Sequence, residues 1–256
     1  MKIVIASVLI GIITLLGGCT QDEEVLTVAA ASDLQHAFRE LGPLFEEETG
    51  IEVKFNFGST GLLAQQIENG APVDVFAAAN RAYVERLAAE DLVVEDTRAI
   101  YAKGRIVLVR GQELELDWVD LSNGNWELLL HESIRNIAIA NPAHAPYGKA
   151  AQEFLQSVEM WEGLEDKLVY GSSVTDALHL VTSGNAEVGI VALSIVIDRE
   201  QTYYLLSEEL HQPLEQEITV VEFSPAREEG RQFVELVTGP IGREILADYG
   251  FELPEL

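Results

Sequence analysis

The chain has 256 residues, 48% of them hydrophobic, and carries 43 Asp+Glu against 16 Lys+Arg for a formal charge of −27. That much apolar sequence supports one large domain or two small lobes. The charge argues against a nucleic-acid partner, since there is no basic patch to meet phosphates, and a single cysteine, Cys19, excludes an internal disulfide.

Met1-Lys2 gives a short basic start, Ile3 to Leu16 is almost wholly apolar, and Leu16-Gly17-Gly18-Cys19 follows. The apolar run is shorter than the ~20 residues a membrane-spanning helix needs, and it has the form of a secretory signal. Its end resembles the lipobox of bacterial lipoproteins. That resemblance implies a signal peptide over 1–18, a lipid on Cys19 and a tether over 19–24. The other reading is an uncleaved anchor followed by a buried structural cysteine. The acidic residues are dispersed, with Glu46-Glu47-Glu48 the longest run, so they read as a solvated surface and not as a disordered tail.

Leu26–Ala31 reads as a buried strand and Leu34–Glu48 as an amphipathic helix ending at a C-cap glycine, Gly50. Ile51–Phe57 alternates as a half-buried strand, Gly58-Ser59-Thr60-Gly61 is a turn, and Leu62–Asn69 is a second helix. Pro72–Ala79 holds a third strand, followed by a helix from Arg81 to Ala89. Ile106–Arg110 is a strand in the next part of the chain, and Tyr101–Arg105 is where the chain leaves a first lobe. Trp118–Leu121 and Trp126–Leu130 are short helical or loop pieces. Asn136–Asn141 is a buried strand. The rigid turn Pro142–Gly148 opens a helix from Lys149 to Val158. Leu168–Gly171 is a short strand, and a helix starts in Ser172–Asp176. A further strand lies in Asn185–Ala192, Tyr203–Leu206 and Ile218–Phe223 are strand candidates, and the last helices lie between Gly230 and Tyr249. Such alternation of strand and helix argues an α/β fold with a parallel sheet.

Four strand-to-helix turns share one chemistry: Ala31-Ser32-Asp33, Ser59-Thr60-Gly61, Pro146-Tyr147-Gly148 and Ser173-Val174-Thr175. Taken alone, Ser32 reads as an N-cap, with Gln35 completing a capping box. The same helix start is also a ready anion site, because its first N–H groups have no partner. None of the four turns contains Lys or Arg, Lys149 being the nearest. In an open parallel sheet these turns lie at the carboxyl ends of the strands, where ligands bind. Two come from each half of the chain, so if the halves are separate lobes the turns face one another across a cleft. The ligand that suits them is a small, fully deprotonated oxyanion. N–H and O–H dipoles only donate, and each helix end adds ~0.3–1 kcal/mol. The surface charge opposes encounter with an anion, a penalty limited by a Debye length of ~8 Å at physiological salt.

The chain resembles the periplasmic molybdate-binding proteins of ABC transporters. The motifs are Val28-Ala29-Ala30-Ala31-Ser32-Asp33-Leu34, Gly70–Ala79, Asn141–Gly148 and Gly239–Phe251, in the family's order. The resemblance implies a two-lobed type II periplasmic-binding fold, each lobe a mainly parallel sheet flanked by helices with the ligand cleft between them. The expected division is 25–102 for the first lobe, 103–199 for the second and 200–256 for the segment that returns to the first. It also implies molybdate or tungstate as cargo, a membrane permease and its ATPase as partners, no cofactor, no enzymatic activity and a monomer. Carried over by position, Ser32 and Thr60 are hydroxyl donors, Ser59 stands beside Thr60, and Tyr147 and Val174 give backbone N–H groups. Asp33 gives its backbone N–H, with its carboxylate expected to point away from an anion. One departure is Ala192, which follows Gly189-Ile190-Val191 where some members of the family place a ligand-reaching tyrosine; whether the Tyr147 hydroxyl replaces it is open.

The alternative is a ferric-ion binder, or a binder of a sulfate-like oxyanion, of the same fold. Tyr203-Tyr204 resembles the phenolate pair of ferric-ion binders, but no His or carboxylate stands beside it, and two tyrosines alternating in a strand look the same. The five histidines show no metal-ligand spacing, and His144, in a Pro-bracketed turn, reads as structural. An enzyme is disfavoured: Gly58-Ser59-Thr60-Gly61 is not a nucleophile elbow, and there is no P-loop.

Overall fold

The computed structural model describes residues 25–114, 124–197 and 201–255. The expected signal peptide, Cys19, the tether and the Trp118–Leu121 piece lie outside them. The first part of the chain runs β1 (Val25–Ala31), α1 (Gln35–Thr49), β2 (Glu52–Gly58), α2 (Thr60–Glu68), β3 (Val75–Ala78), α3 (Arg81–Ala88) and β4 (Ala99–Gly104). The second runs β5 (Ile106–Arg110), β6 (Ile137–Ala140), α4 (Pro146–Ser157), α5 (Trp161–Leu164), β7 (Leu168–Gly171), α6 (Val174–Thr182), β8 (Val188–Ala192) and β9 (Tyr203–Leu205). The chain ends with β10 (Leu214–Val220), α7 (Arg227–Thr238) and α8 (Pro240–Asp248).

These strands form two five-stranded sheets, ordered β2-β1-β3-β10-β4 and β7-β6-β8-β5-β9. Both follow one plan. Three strands lie parallel, then comes one that is antiparallel to both of its neighbours, β10 in the first sheet and β5 in the second. The sheets are therefore mixed, each with two parallel and two antiparallel pairings. The direction of β5 and β10 follows from the crossings. A strand that arrives from the other lobe enters at the edge where the parallel strands end, so it must run away from that edge. The chain crosses at Gly104-Arg105, and it crosses back between Leu205 and Leu214. Since β9 pairs with β5, the second sheet extends to Leu205, past the lobe boundary expected at 199.

The strands nearest the middle of each sheet are buried along most of their length, which is why they read as unbroken apolar runs. Edge strand β2 is only half-buried, in keeping with its alternating sequence. The first lobe is packed by an aromatic cluster in which Phe233 meets Phe38 at 5.6 Å and Phe45 at 5.4 Å, both edge to face. The geometry suits ring quadrupoles, and each buried ring contributes roughly 1.5–3 kcal/mol by removal from water.

Two helix starts differ from expectation. Ser32–Leu34 forms a 3-10 turn ahead of α1, and Ser32 makes no side-chain cap bond, so the capping box with Gln35 does not form. The tight turn leaves the Ser32 hydroxyl to another element instead. Helix α4 starts at Pro146 and not at Lys149, because a proline at the first helical position loses no hydrogen bond.

At the crossing, Arg105 pairs with Glu252, whose backbone bridges Lys103, so the end of the chain lies across the junction of the lobes. Gly104 is required there: a Cβ would collide with the Tyr147 hydroxyl and stand 2.9 Å from Gln216 Nε2.

Candidate functional site

The small residues that end β1, Ala29 to Ala31, are buried and bring the Ser32 turn close against the second lobe. There the Ser32 Oγ accepts the Thr175 N–H at 3.4 Å, and the Ser32 carbonyl accepts the Thr175 hydroxyl at 3.0 Å. With an N–H donated to its oxygen, the Ser32 hydroxyl keeps its proton to give. Thr60 is arranged in the same way at the start of α2: its Oγ1 accepts the Ala79 N–H at 3.1 Å. Both hydroxyls are thus oriented as donors by a backbone amide from behind.

Ser59 behaves differently. Its hydroxyl donates to the His144 carbonyl at 2.7 Å and lies 2.7 Å from His144 Nδ1. The side chain is therefore occupied across the cleft. Tyr147 and Val174 stand in the first turns of α4 and α6, where N–H groups have no partner within the helix. The Ser173 hydroxyl caps α6 by accepting the Asp176 N–H.

All six expected residues, Ser32, Asp33, Ser59, Thr60, Tyr147 and Val174, line one small cavity between the lobes. Each is at most 4% exposed. The remaining wall is small or apolar, and among the described residues neither Lys nor Arg lines it. The lobes are closed over it, joined by the Ser32–Thr175, Ser59–His144 and Asp33–Tyr147 contacts and by the Gly61 N–H on the His144 carbonyl at 2.9 Å.

Asp33 is the charged group at this wall. Its Oδ2 accepts the Tyr147 hydroxyl at 3.0 Å and the Gln216 amide at 2.6 Å, which turns that oxygen toward the crossing of the lobes. Its Oδ1 is buried without a partner. Burial pushes its pKa up to about 6, against the opposing hydrogen bonds from Gln216 and Tyr147. Burial also raises the Tyr147 and Tyr101 hydroxyls well above the usual range, so both stay protonated. The Tyr147 hydroxyl is spent on Asp33 and does not replace the donor missing at Ala192. Behind it Tyr101 donates to Gln216 Oε1 at 2.7 Å, and the Ser194 hydroxyl donates to the Asp33 carbonyl at 2.9 Å.

Sequence reasoning missed Gln216, Tyr101 and Ser194. They lie on β10, on β4 and just after β8, where nothing local marks them. Tyr203 and Tyr204 sit on edge strand β9, away from the cavity, and Tyr204 packs edge-on against Trp126. Among the described residues no group of His, Cys, Asp or Glu is placed to hold a metal ion, and no helix is long and apolar enough to cross a membrane. The phenolate pair of the ferric alternative is therefore not assembled at the cleft.

The arrangement can surround a small anion with dipoles from four helix starts. A family model described as bacterial extracellular solute-binding protein matches residues 26–252. The chain belongs to that family. Within the solute-binding proteins it is 32% identical over 229 residues to the molybdate-binding protein ModA of Rhodobacter capsulatus, covering 89% of this chain and 88% of that one. It is 30% identical over 240 residues to ModA of Escherichia coli, covering 93% and 92%. The solved periplasmic molybdate-binding protein of Azotobacter vinelandii matches with a TM-score of 0.83 at 28% identity, covering 90% of this chain and 100% of that one. As a solute-binding protein the chain is a carrier and not an enzyme, and its ligand is cargo and not a cofactor.

Proposed function

We propose that this protein captures molybdate or tungstate outside the cytoplasm and delivers it to an ABC importer made of a membrane permease and an ATPase. It acts as a monomer, held at the outer face of the membrane by a lipid on Cys19. The observation that carries the reading is the cavity itself, where the donors of Ser32, Ser59, Thr60, Tyr147 and Val174 converge with no Lys or Arg among them. A fully deprotonated tetrahedral anion needs donors on every side, and the residue types gathered at this cavity support that reading. The names of the relatives from Rhodobacter capsulatus and Escherichia coli support the same cargo.

The neutral cage also bears on selectivity. A lysine or arginine would bind anions less discriminately, whereas dipoles at fixed positions reward one size and one protonation state. The test is competitive titration with molybdate, tungstate and sulfate on protein lacking residues 1–19. A true ligand raises the melting temperature in proportion to RT ln(1 + [L]/Kd), ~2.7 kcal/mol at a hundredfold excess over Kd. If neither molybdate nor tungstate stabilises the protein while Fe(III) or sulfate does, the cargo is reassigned to that ion.

A further inference from the structure

We propose that Asp33 takes up a proton when the lobes close on the bound dianion, so that a carboxyl group, and not a cation, absorbs the charge brought into the cavity. The inference rests on the oxyanion reading above and adds to it a proton that travels with the anion.

Three observations lead to it. Asp33 follows the ligand-facing Ser32, lines the cavity and is 1% exposed. Its two oxygens are unequal: Oδ2 has two donors, whereas Oδ1 is buried with none. An orphaned acceptor is costly in the interior, and a proton on Oδ1 converts it into a donor at the wall of an anion cage. Finally, one of the two donors, Tyr147, belongs to the second lobe, so this environment is complete only when the lobes are together.

Among the described residues no neighbouring cation does this work instead. The groups that act on the carboxyl are Gln216 and Tyr147, and Asp33 in turn acts on Tyr101. Charged groups on the surrounding elements are engaged elsewhere. Arg105 pairs with Glu252, Lys149 approaches Glu153 at 3.9 Å, Asp176 accepts the Ser172 N–H, and Glu217 on β10 pairs with Arg98. His36, one turn along α1, stacks on Tyr249. In the closed form burial holds the Asp33 carboxyl at about 6, before any charge of the ligand is counted. A dianion in the adjoining cavity raises its proton affinity further, because like charges in a poorly solvated site disfavour ionisation. By linkage, anion binding then draws a proton from solvent, and proton binding favours the anion to the same degree.

The test is calorimetric titration of molybdate into protein lacking residues 1–19, in buffers of different ionisation heat, at about pH 6, 7 and 8. The expected result is proton uptake approaching one per molybdate, with Kd weakening by up to about tenfold per pH unit as the pH rises. Asp33→Asn should bind with no proton uptake and a flat pH profile. Molybdate binding without proton uptake, or an unchanged uptake in Asp33→Asn, overturns the proposal and leaves the oxyanion reading intact. No binding of molybdate or tungstate by either protein overturns both. If Asp33→Asn does not fold, Tyr147→Phe provides a second variant. It removes a donor to the ionised form that only the closed lobes supply, so the pH at which Kd stops weakening should move upward, and an unmoved profile overturns the proposal.

Discussion

His144 Nδ1 of the second lobe stands 2.7 Å from the Ser59 hydroxyl of the first. The same hydroxyl donates to the His144 carbonyl, which also receives the Gly61 N–H. One residue thus latches the mouth of the cleft beside the cavity, with its side chain and its backbone both engaged. Burial lowers the His144 pKa, so near neutral pH the latch works with an uncharged imidazole.

His144→Ala keeps the carbonyl bonds and loses the imidazole. A net hydrogen bond of about 1 kcal/mol corresponds to a roughly fivefold faster release of molybdate, with the association rate little changed. Stopped-flow displacement measures it, and an unaltered release rate would show that the imidazole does not hold the cleft shut.

Gly61→Ala should prevent full closure. A Cβ at Gly61 would lie 2.6 Å from the His144 carbonyl oxygen, which belongs to a backbone with little room to yield. Overpacking of this kind costs about 1–3 kcal/mol, which means roughly a five- to hundredfold loss of affinity. Wild-type affinity in this variant would mean that the cleft closes with a different geometry.

Ser32→Ala and Thr60→Ala should each weaken molybdate binding by about 1–3 kcal/mol, since each removes a donor from a buried anion oxygen. Thr60→Ser should retain most of the affinity, because the hydroxyl can still accept the Ala79 N–H and donate inward. Calorimetry on these variants decides the matter, and full affinity in both alanine variants refutes the assigned site.

Asp33 should also leave a mark on stability without ligand. Its carboxyl titrates near 6 in the folded protein against a usual value of 3.8. Between those values the unfolded chain has lost the proton that the folded one still holds, so this group's contribution is complete below about pH 4 and is lost as pH rises through 6. Two units amount to about 3 kcal/mol, an order-of-magnitude figure for a fully buried group. The difference in unfolding free energy between wild type and Asp33→Asn should therefore change over that window and stay flat above it. A difference independent of pH would place the Asp33 titration elsewhere.

The path from sequence to cavity was short where the signal was local. Buried strands show as apolar runs, and each turn of the candidate site joins a strand to the helix that follows it within a few residues. Ser32, Thr60, Tyr147 and Val174 stand in such turns, and one cavity gathers them. What stayed hidden is long-range. Gln216 reaches Asp33 across a separation of 183 residues and Ser194 across 161, and neither sits in a turn or a motif. The role of the Tyr147 hydroxyl was unreadable for the same reason, since its acceptor is on the other lobe. The assignment of β9 needed tertiary pairing too: a three-residue strand at a sheet edge looks the same whichever sheet it joins.

The place of β10 between β3 and β4 sets an order of assembly. Neither β4 nor the rest of the first sheet can be completed until residues 214–220 are present. The second sheet, by contrast, is encoded without interruption from Ile106 to Leu205. In a chain that emerges from its amino end, the half made second is the first able to finish folding, and the half made first must wait, with β3 unpaired along one side. An exported chain of this topology therefore depends on whatever shields that edge until its last quarter arrives.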